Sequence, residues 1–395
     1  MAGANAGRGT VSRVLVSHGL AAVGMSVPWP LLLVLVWEHT HDELLLGLAG
    51  AARMLPYVLL SWAAGRLGDA SSRSRVVGAT LVARIAALAV AGIAVAAGHL
   101  TLAVVACALA VAVATPAFPA LGAALPELVT RAGLRSSGPR ITELLVTIEV
   151  ASFVVGPALG GLLLLPPTRP YVLPVAIALV ALALVAMLRI DLPAPATAEL
   201  DARVAVLPAV RRAGVGPALV VMSLVNFVVA LVALALVPMA EELWSGSSAT
   251  YGVATSVLGF GALAGPLLGV LGAGHLARVR TGLAAMGVAL VTVAPTPGLV
   301  WALIPLAVIG AVAVHIESAA TSILQERLPD AVRASVLGLA DTAMVAAALV
   351  GSLVGPALVG AAGPRAVLAV VAALAVLSAF LLDSQRKVPL VNRIR

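Results

Sequence analysis

Charge is what this sequence has least of. Of its 395 residues, 24 are lysine or arginine and 17 are aspartate or glutamate, 10% in all, where soluble domains carry roughly 25%. A soluble fold turns its outside to water, and this chain has too little polar surface for that. Cysteine is nearly absent too: Cys107 stands alone, so no intrachain disulfide can form. Aromatic residues are 3% of the chain. No phosphate-cradling loop, GxSxG elbow or HExxH pair occurs, which leaves direct ATP drive and the commonest hydrolase chemistries without support. No stretch alternates polar with apolar residues as the strands of a membrane barrel must.

What fills the chain instead is hydrophobic: 62% of the residues. A membrane-crossing helix uses about 20 apolar residues, so twelve would use roughly 240, close to the whole hydrophobic content. Twelve apolar runs can be marked, at 12–37, 43–64, 76–97, 101–124, 139–165, 170–190, 216–240, 249–273, 279–296, 299–322, 335–360 and 364–383. Only helices satisfy all their backbone groups within one crossing, so the expectation is an all-α membrane protein with twelve transmembrane helices. The net charge of +7 does not point to nucleic acid, because the basic residues lie in short loops between the runs. Twenty of the 24 fall in segments on one side, from Arg8 and Arg13 to the tail with Arg386, Lys387, Arg393 and Arg395. The other side holds only Arg169 and Arg365. That bias predicts that both termini are cytoplasmic, in a multi-pass plasma-membrane protein. The high Ala, Val and Arg content, with a single Lys, suggests a GC-rich bacterial genome.

The longest connection, residues 191–215, is rich in proline and alanine and falls at the midpoint. It divides the chain into an N-terminal half (1–190), a cytoplasmic linker (191–215) and a C-terminal half with a short basic tail (216–395). The halves share features. GPALGG at 156–161 returns as GPALVG at 355–360, an offset of 199, and LPELVTR at 125–131 returns as LPDAVRA at 328–334, an offset of 203. Two matches at nearly one offset argue for a duplicated six-helix unit, giving two pseudo-symmetric halves.

The segment GRLGDASSRSR (65–75) resembles the loop signature of the major facilitator superfamily, with Gly65, Leu67, Asp69, Arg73 and Arg75 on the pattern. Ala70 and Ser72 depart from it. The resemblance implies a twelve-helix transporter that rocks one half against the other. It also implies a loop that locks the cytoplasmic ends together, with Gly65 permitting a tight turn. Ser152, Gly156, Pro157, Gly160 and Gly161 are similar to the span-five signature of drug-exporting members, Ser152 standing where glycine is usual. Close helix packing alone also accounts for such small residues. The arginine those exporters carry in span four is absent from 100–129. Three features, the end of span four, Arg53–Pro56 in span two and GVATSVLGFGALAG (252–265) in span eight, look more like the macrolide-exporter branch.

Ionisable groups inside a membrane are costly and mark functional candidates. Glu149 lies about ten residues into its run, roughly 15 Å at helical rise. It joins His315 and Glu317 as a candidate for proton coupling. His315 and Glu317 point about 200° apart on a helix, so one of them should face a neighbouring helix. The resemblance adds His18 and Asn226 as cavity-lining candidates, since spans one, four, seven and ten line the cavity in that family. Arg53 and Arg84 read as structural neutralisers of an acid such as Glu149. Glu143 and Asp341 read as ordinary acids in a first helical turn. EHTHDE (38–43) reads as a solvated polar turn, with no metal site expected. Trp62, Phe118, Phe227 and Trp301 are the few groups that could stack on a substrate.

The function expected is secondary active transport by alternating access, with proton-coupled efflux of hydrophobic, drug-like compounds. The partners are a small-molecule substrate, protons and the lipid bilayer, with no nucleic acid, no cofactor and a monomeric state. The alternatives are an importer or facilitator of a small polar metabolite, and a membrane scaffold or sensor.

Overall fold

The computed structural model describes residues 2–70, 72–134, 138–193, 206–271, 274–328 and 330–384. Among these residues every regular element is helical and no strand occurs. Among the described residues, nine helices are long and apolar enough to cross a membrane.

Proline decides where several apolar runs break. The first run is helical from α1 (Ala2–Ser26) into α2 (Pro28–Thr40) and is interrupted only at Val27. Pro28 and Pro30 there lack the N–H the ladder would use. α3 (Glu43–Ala70) and α4 (Arg73–Ala96) follow. The expected run 101–124 is two short helices, α5 (Leu100–Ala114) and α6 (Ala117–Arg131), parted at Pro116. α7 (Gly138–Leu162) and α8 (Val172–Met187) complete the first six runs. A short helix, α9 (Val206–Ala213), forms inside the segment expected as a linker. Arg211 and Arg212 complement its C-terminal dipole, and Gly214, at φ 63°, ends it. Then come α10 (Gly216–Pro238), α11 (Ser248–Leu263), α12 (His275–Val293), α13 (Leu299–Arg327), α14 (Asp330–Ala362) and α15 (Pro364–Ser384). The run 249–273 is also divided, α11 giving way to a 3-10 segment at Gly265–Leu271 with Pro266 near its start.

The segment 65–75 corrects the expectation of a tight turn at Gly65. α3 continues through Gly65, Leu67 and Asp69 to Ala70, and α4 begins at Arg73. Arg66 and Leu67 are good helix formers, and one glycine costs a helix only about 1 kcal/mol. The side chains of residues 61–71 lie outside the described part, Trp62 among them.

The backbone traces two compact units, Met1–His39 with Ala52–Asp201, and Thr40–Ala51 with Ala202–Arg395. In the first unit α1 packs on α7 and α8, and α4 on α5 and α8. In the second unit α10 packs on α14 and α15, and α12 on α13 and α15. The same partnerships thus recur in chain order within each unit. Large apolar side chains line the exposed surface. Val300, Trp301 and Ile304 of α13 are 75%, 71% and 77% exposed, so that face is built for lipid rather than water. Trp301, read as a possible substrate-stacking group, stands on it.

Candidate functional site

Each unit joins a polar residue of its first helix to a glutamate of another helix. In the first unit, His18 Nε2 of α1 lies 2.8 Å from Glu149 Oε2 of α7, with side-chain exposures of 6% and 16%. Packing brings them together. α1 and α7 run alongside each other, and a Cβ at Gly19 would touch Ile148. Further along, a Cβ at Gly156 would meet Val23 and Ser26, and one at Gly160 would run into the Val27 carbonyl and Pro30. The glycines of the span-five motif therefore let α7 reach the backbone of the α1–α2 corner. Ser152 is buried and donates its hydroxyl to the Glu149 carbonyl oxygen at 2.6 Å. Pro157 is inside α7, and Gly161 is buried near its end. The motif thus builds the seam that holds Glu149 against His18.

Two further helices close on this pair. The His18 ring packs on Phe118 of α6, centroids 5.6 Å apart and tilted by 35°. Arg84 of α4 is 6% exposed, donates to the Ala114 carbonyl at 3.1 Å, and lies within electrostatic reach of Glu149. Ala114 ends α5, so this cation also complements a helix C-terminus at the Pro116 break. One turn beyond Glu149, Phe153 meets Arg53 of α3. The guanidinium carbon lies 5.6 Å from the ring centroid, and Nη2 donates to Ser26 Oγ at 3.4 Å.

In the second unit, Asn226 Nδ2 of α10 donates to Glu317 Oε1 of α13 at 2.5 Å and to the Met222 carbonyl at 3.0 Å. Asp341 of α14 lies within electrostatic reach of Glu317. His315 faces elsewhere: it is 6% exposed and hydrogen-bonds the Gly265 backbone. Its Cδ2 would be 3.7 Å from a Cβ at Gly282. Arg278 of α12 is its electrostatic neighbour. The structure thus separates His315 from Glu317 and gives Glu317 to Asn226. A Cβ at Gly351 would run into the Phe227 carbonyl, so Phe227 belongs to the α10–α14 seam.

The remaining candidates are structural in their surroundings. Arg73 is buried and donates to the Pro193 carbonyl at 3.2 Å. Ser74 beside it binds the Asp191 carboxylate at 3.2 Å and accepts from the Leu192 amide at 2.7 Å. The basic end of the 65–75 signature therefore secures the chain leaving α8, inside one unit. Arg75 is exposed. The side chain of Glu143 lies outside the described residues. The EHTHDE residues have distinct partners. Glu38 pairs with both terminal nitrogens of Arg169, and His39 contacts the Leu35 carbonyl at 2.8 Å. His41 meets Glu241 at 3.2 Å, and Asp42 accepts from the Leu45 amide at 2.9 Å. Among the described residues, no three His, Cys, Asp or Glu side chains come together as metal ligands.

Sequence reasoning missed that His18 and Glu149 are partners, and likewise Asn226 and Glu317. The second pair is 91 residues apart in the chain, and no local spacing signals such a contact.

The family model described as Major Facilitator Superfamily matches residues 14–350. No curated protein matches the chain significantly. Among solved structures, the human organic anion transporter MFSD10 (TETRAN) is similar at 18% identity, with 95% of this chain and 99% of that one covered and a TM-score of 0.67. The nucleoside transporter NupG gives 14% identity, 96% and 100% coverage and a TM-score of 0.67. A D-xylose–proton symporter gives 16% identity, 95% coverage of both chains and a TM-score of 0.67. At such identities the likeness speaks for the fold alone. The helices, the apolar surface and the family match agree that the chain belongs to the major facilitator superfamily, as a multi-pass membrane transporter and not an enzyme.

Proposed function

We propose that this transporter crosses the membrane twelve times and moves hydrophobic small molecules outward by alternating access, in exchange for protons. In this reading it stands as a monomer in a bacterial plasma membrane with both termini cytoplasmic. The observation that carries the proton coupling is the contact between His18 and Glu149. Two titratable groups 2.8 Å apart, with little exposure, can hold one proton between them and give it up when solvent access changes. Arg84 places a guanidinium within electrostatic reach of Glu149. Glu317, held by an amide that does not titrate, is the second coupling candidate. The D-xylose–proton symporter gives the fold a proton-coupled precedent. Export of drug-like compounds is supported by the likeness of the span-five motif and by an interior with few polar anchors.

A second reading, a carrier of a small polar metabolite, is favoured by one observation. His18 and Asn226 each bring a hydrogen-bonding group into the first helix of a unit.

The test uses inverted membrane vesicles under an imposed proton gradient. Uptake of hydrophobic dyes and antibiotics is followed for the native chain, Glu149→Gln and Glu317→Gln. The expected result is gradient-driven uptake by the native chain and its loss in Glu149→Gln. Unchanged uptake in Glu149→Gln would remove the coupling role of the His18–Glu149 pair. Gradient-driven uptake of nucleosides or sugars, with none of dyes, would favour the second reading.

A further inference from the structure

The start of α12 carries charge of the wrong sign for its place. A helix N-terminus favours acids, and α12 has none in its first turn. His275 opens the helix instead, and Arg278 and Arg280 follow. Gly274 at the N-cap has no side chain to accept from the leading amides. Beside these turns, in α13, stands His315, 6% exposed. Its ring is turned toward α12, with Cδ2 3.7 Å from where a Cβ at Gly282 would lie. Arg278 is its electrostatic neighbour. Arg278 Nε and His315 Nδ1 are buried, and among the described residues neither atom has a hydrogen-bond partner. Glu326 of α13 is already taken, pairing with His275 at 2.8 Å while 62% exposed. Among the described residues no carboxylate pairs with Arg278.

This place borders the apolar surface. The 3-10 segment Gly265–Leu271 starts at His315, which hydrogen-bonds the Gly265 backbone, and leads toward the start of α12. Its Leu267 is 70% exposed, and Leu263 just before it is 48% exposed.

We propose that the first turns of α12, with Arg278 as anchor, hold the phosphate of an anionic glycerophospholipid at one surface of the bilayer. A guanidinium and open helix amides both suit phosphate oxygens. His315 adds a donor from the neighbouring helix. The acyl chains lie along Leu263 and Leu267, a flank that a soluble phosphate would not use. The bound anion offsets both Arg278 and the positive end of the helix dipole. Basic pockets between membrane helices hold anionic headgroups by this chemistry. The proposal needs only that the chain sits in a bilayer, so it stands or falls apart from proton coupling and substrate.

The experiment counts lipids bound to the purified full chain by native mass spectrometry. The probes are phosphatidylglycerol and phosphatidylcholine with the same acyl chains, and glycerol 3-phosphate. The native chain should bind phosphatidylglycerol about tenfold more tightly than phosphatidylcholine. Arg278→Gln should lose about tenfold for phosphatidylglycerol and little for phosphatidylcholine, whose binding reports the fold. Arg212→Gln removes an equal charge from an exposed site in the same unit and should keep the preference. Thr281→Glu, at an exposed position one turn from Arg278, supplies an internal anion and should also abolish it. That variant carries the test if Arg278→Gln fails to fold. No preference in the native chain would overturn the proposal, as would a preference that survives both Arg278→Gln and Thr281→Glu. An equal loss in Arg212→Gln would reduce the effect to bulk charge and overturn it too. Glycerol 3-phosphate binding as tightly as phosphatidylglycerol would replace the lipid with a soluble phosphate.

Discussion

A glutamate in an apolar helix is tolerable only with a partner, and here the partner comes from another helix each time. His18 and Asn226 stand in the first helices of the two units and hold Glu149 and Glu317. The chemistry of the two contacts differs. A histidine can take the proton its acid gives up, whereas an amide hydrogen-bonds the acid but does not take its proton. This is why Glu149 is the stronger candidate for coupling, although the sequence offered both acids on equal terms. Truncating either partner leaves an acid without its neighbour. Interhelical polar contacts in membranes contribute about 0.6 kcal/mol on average and at most about 1.7 kcal/mol. His18→Ala and Asn226→Ala are each expected to destabilise the protein within that range, read as a lowered unfolding midpoint in detergent. Only His18→Ala is expected to disturb proton-driven uptake. The presence of these polar residues was legible in the sequence. Their pairing was not, because contacts between distant segments leave no trace in local spacing.

At the level of the element, small residues and prolines do the shaping. Helix association in lipid gains little from burying apolar surface, so it depends on close packing. Gly156 and Gly160 let α7 touch the α1–α2 corner, and Gly351 and Gly355 do the same for α14 against Phe227 and Leu231 of α10. Repetition of the sequence motif thus corresponds to a repeated seam. Gly160→Val is expected to cost about 1–3 kcal/mol, because its side chain would drive into the Val27 carbonyl. Gly78 of α4 is a control, since a Cβ there meets nothing within 4 Å. Gly78→Ala is expected to raise stability by about 0.5–1 kcal/mol through helix propensity. The opposite signs can be read in one thermal-unfolding series. The breaks at Val27 and Pro116 and the 3-10 segment at 265–271 show what hydropathy overlooked. An average over a window counts proline as one more residue, while the helix loses a donor at that point.

On the scale of the whole molecule, the distribution of charge predicts an orientation. On the proposed twelve-span topology, twenty basic residues fall on one side against two on the other, a strong bias for a chain with so few charges. The single native cysteine makes this testable, because Cys107 is buried and should not react. In intact cells, Arg169→Cys and Arg365→Cys are expected to label with a membrane-impermeant maleimide. Arg131→Cys and Arg212→Cys are expected to label only after permeabilisation. Labelling of all four from outside would overturn the orientation. The repeat has its counterpart in the packing order inside each unit, where the first helix meets the fifth and sixth.

Composition and motif were enough to settle the solvent, the helical class and the family. Lipid accepts only helices, and a chain with 62% hydrophobic residues and scattered loop arginines has no other environment to fold in. Tertiary structure alone decided which polar groups meet. It gave Glu317 to Asn226, set His18 on Glu149, and turned the basic end of a loop signature into an anchor for the chain leaving α8. The physical reason is the same in each case. Composition measures how a residue prefers its solvent, while a buried charge is satisfied by whichever helix packing brings within about 3 Å of it.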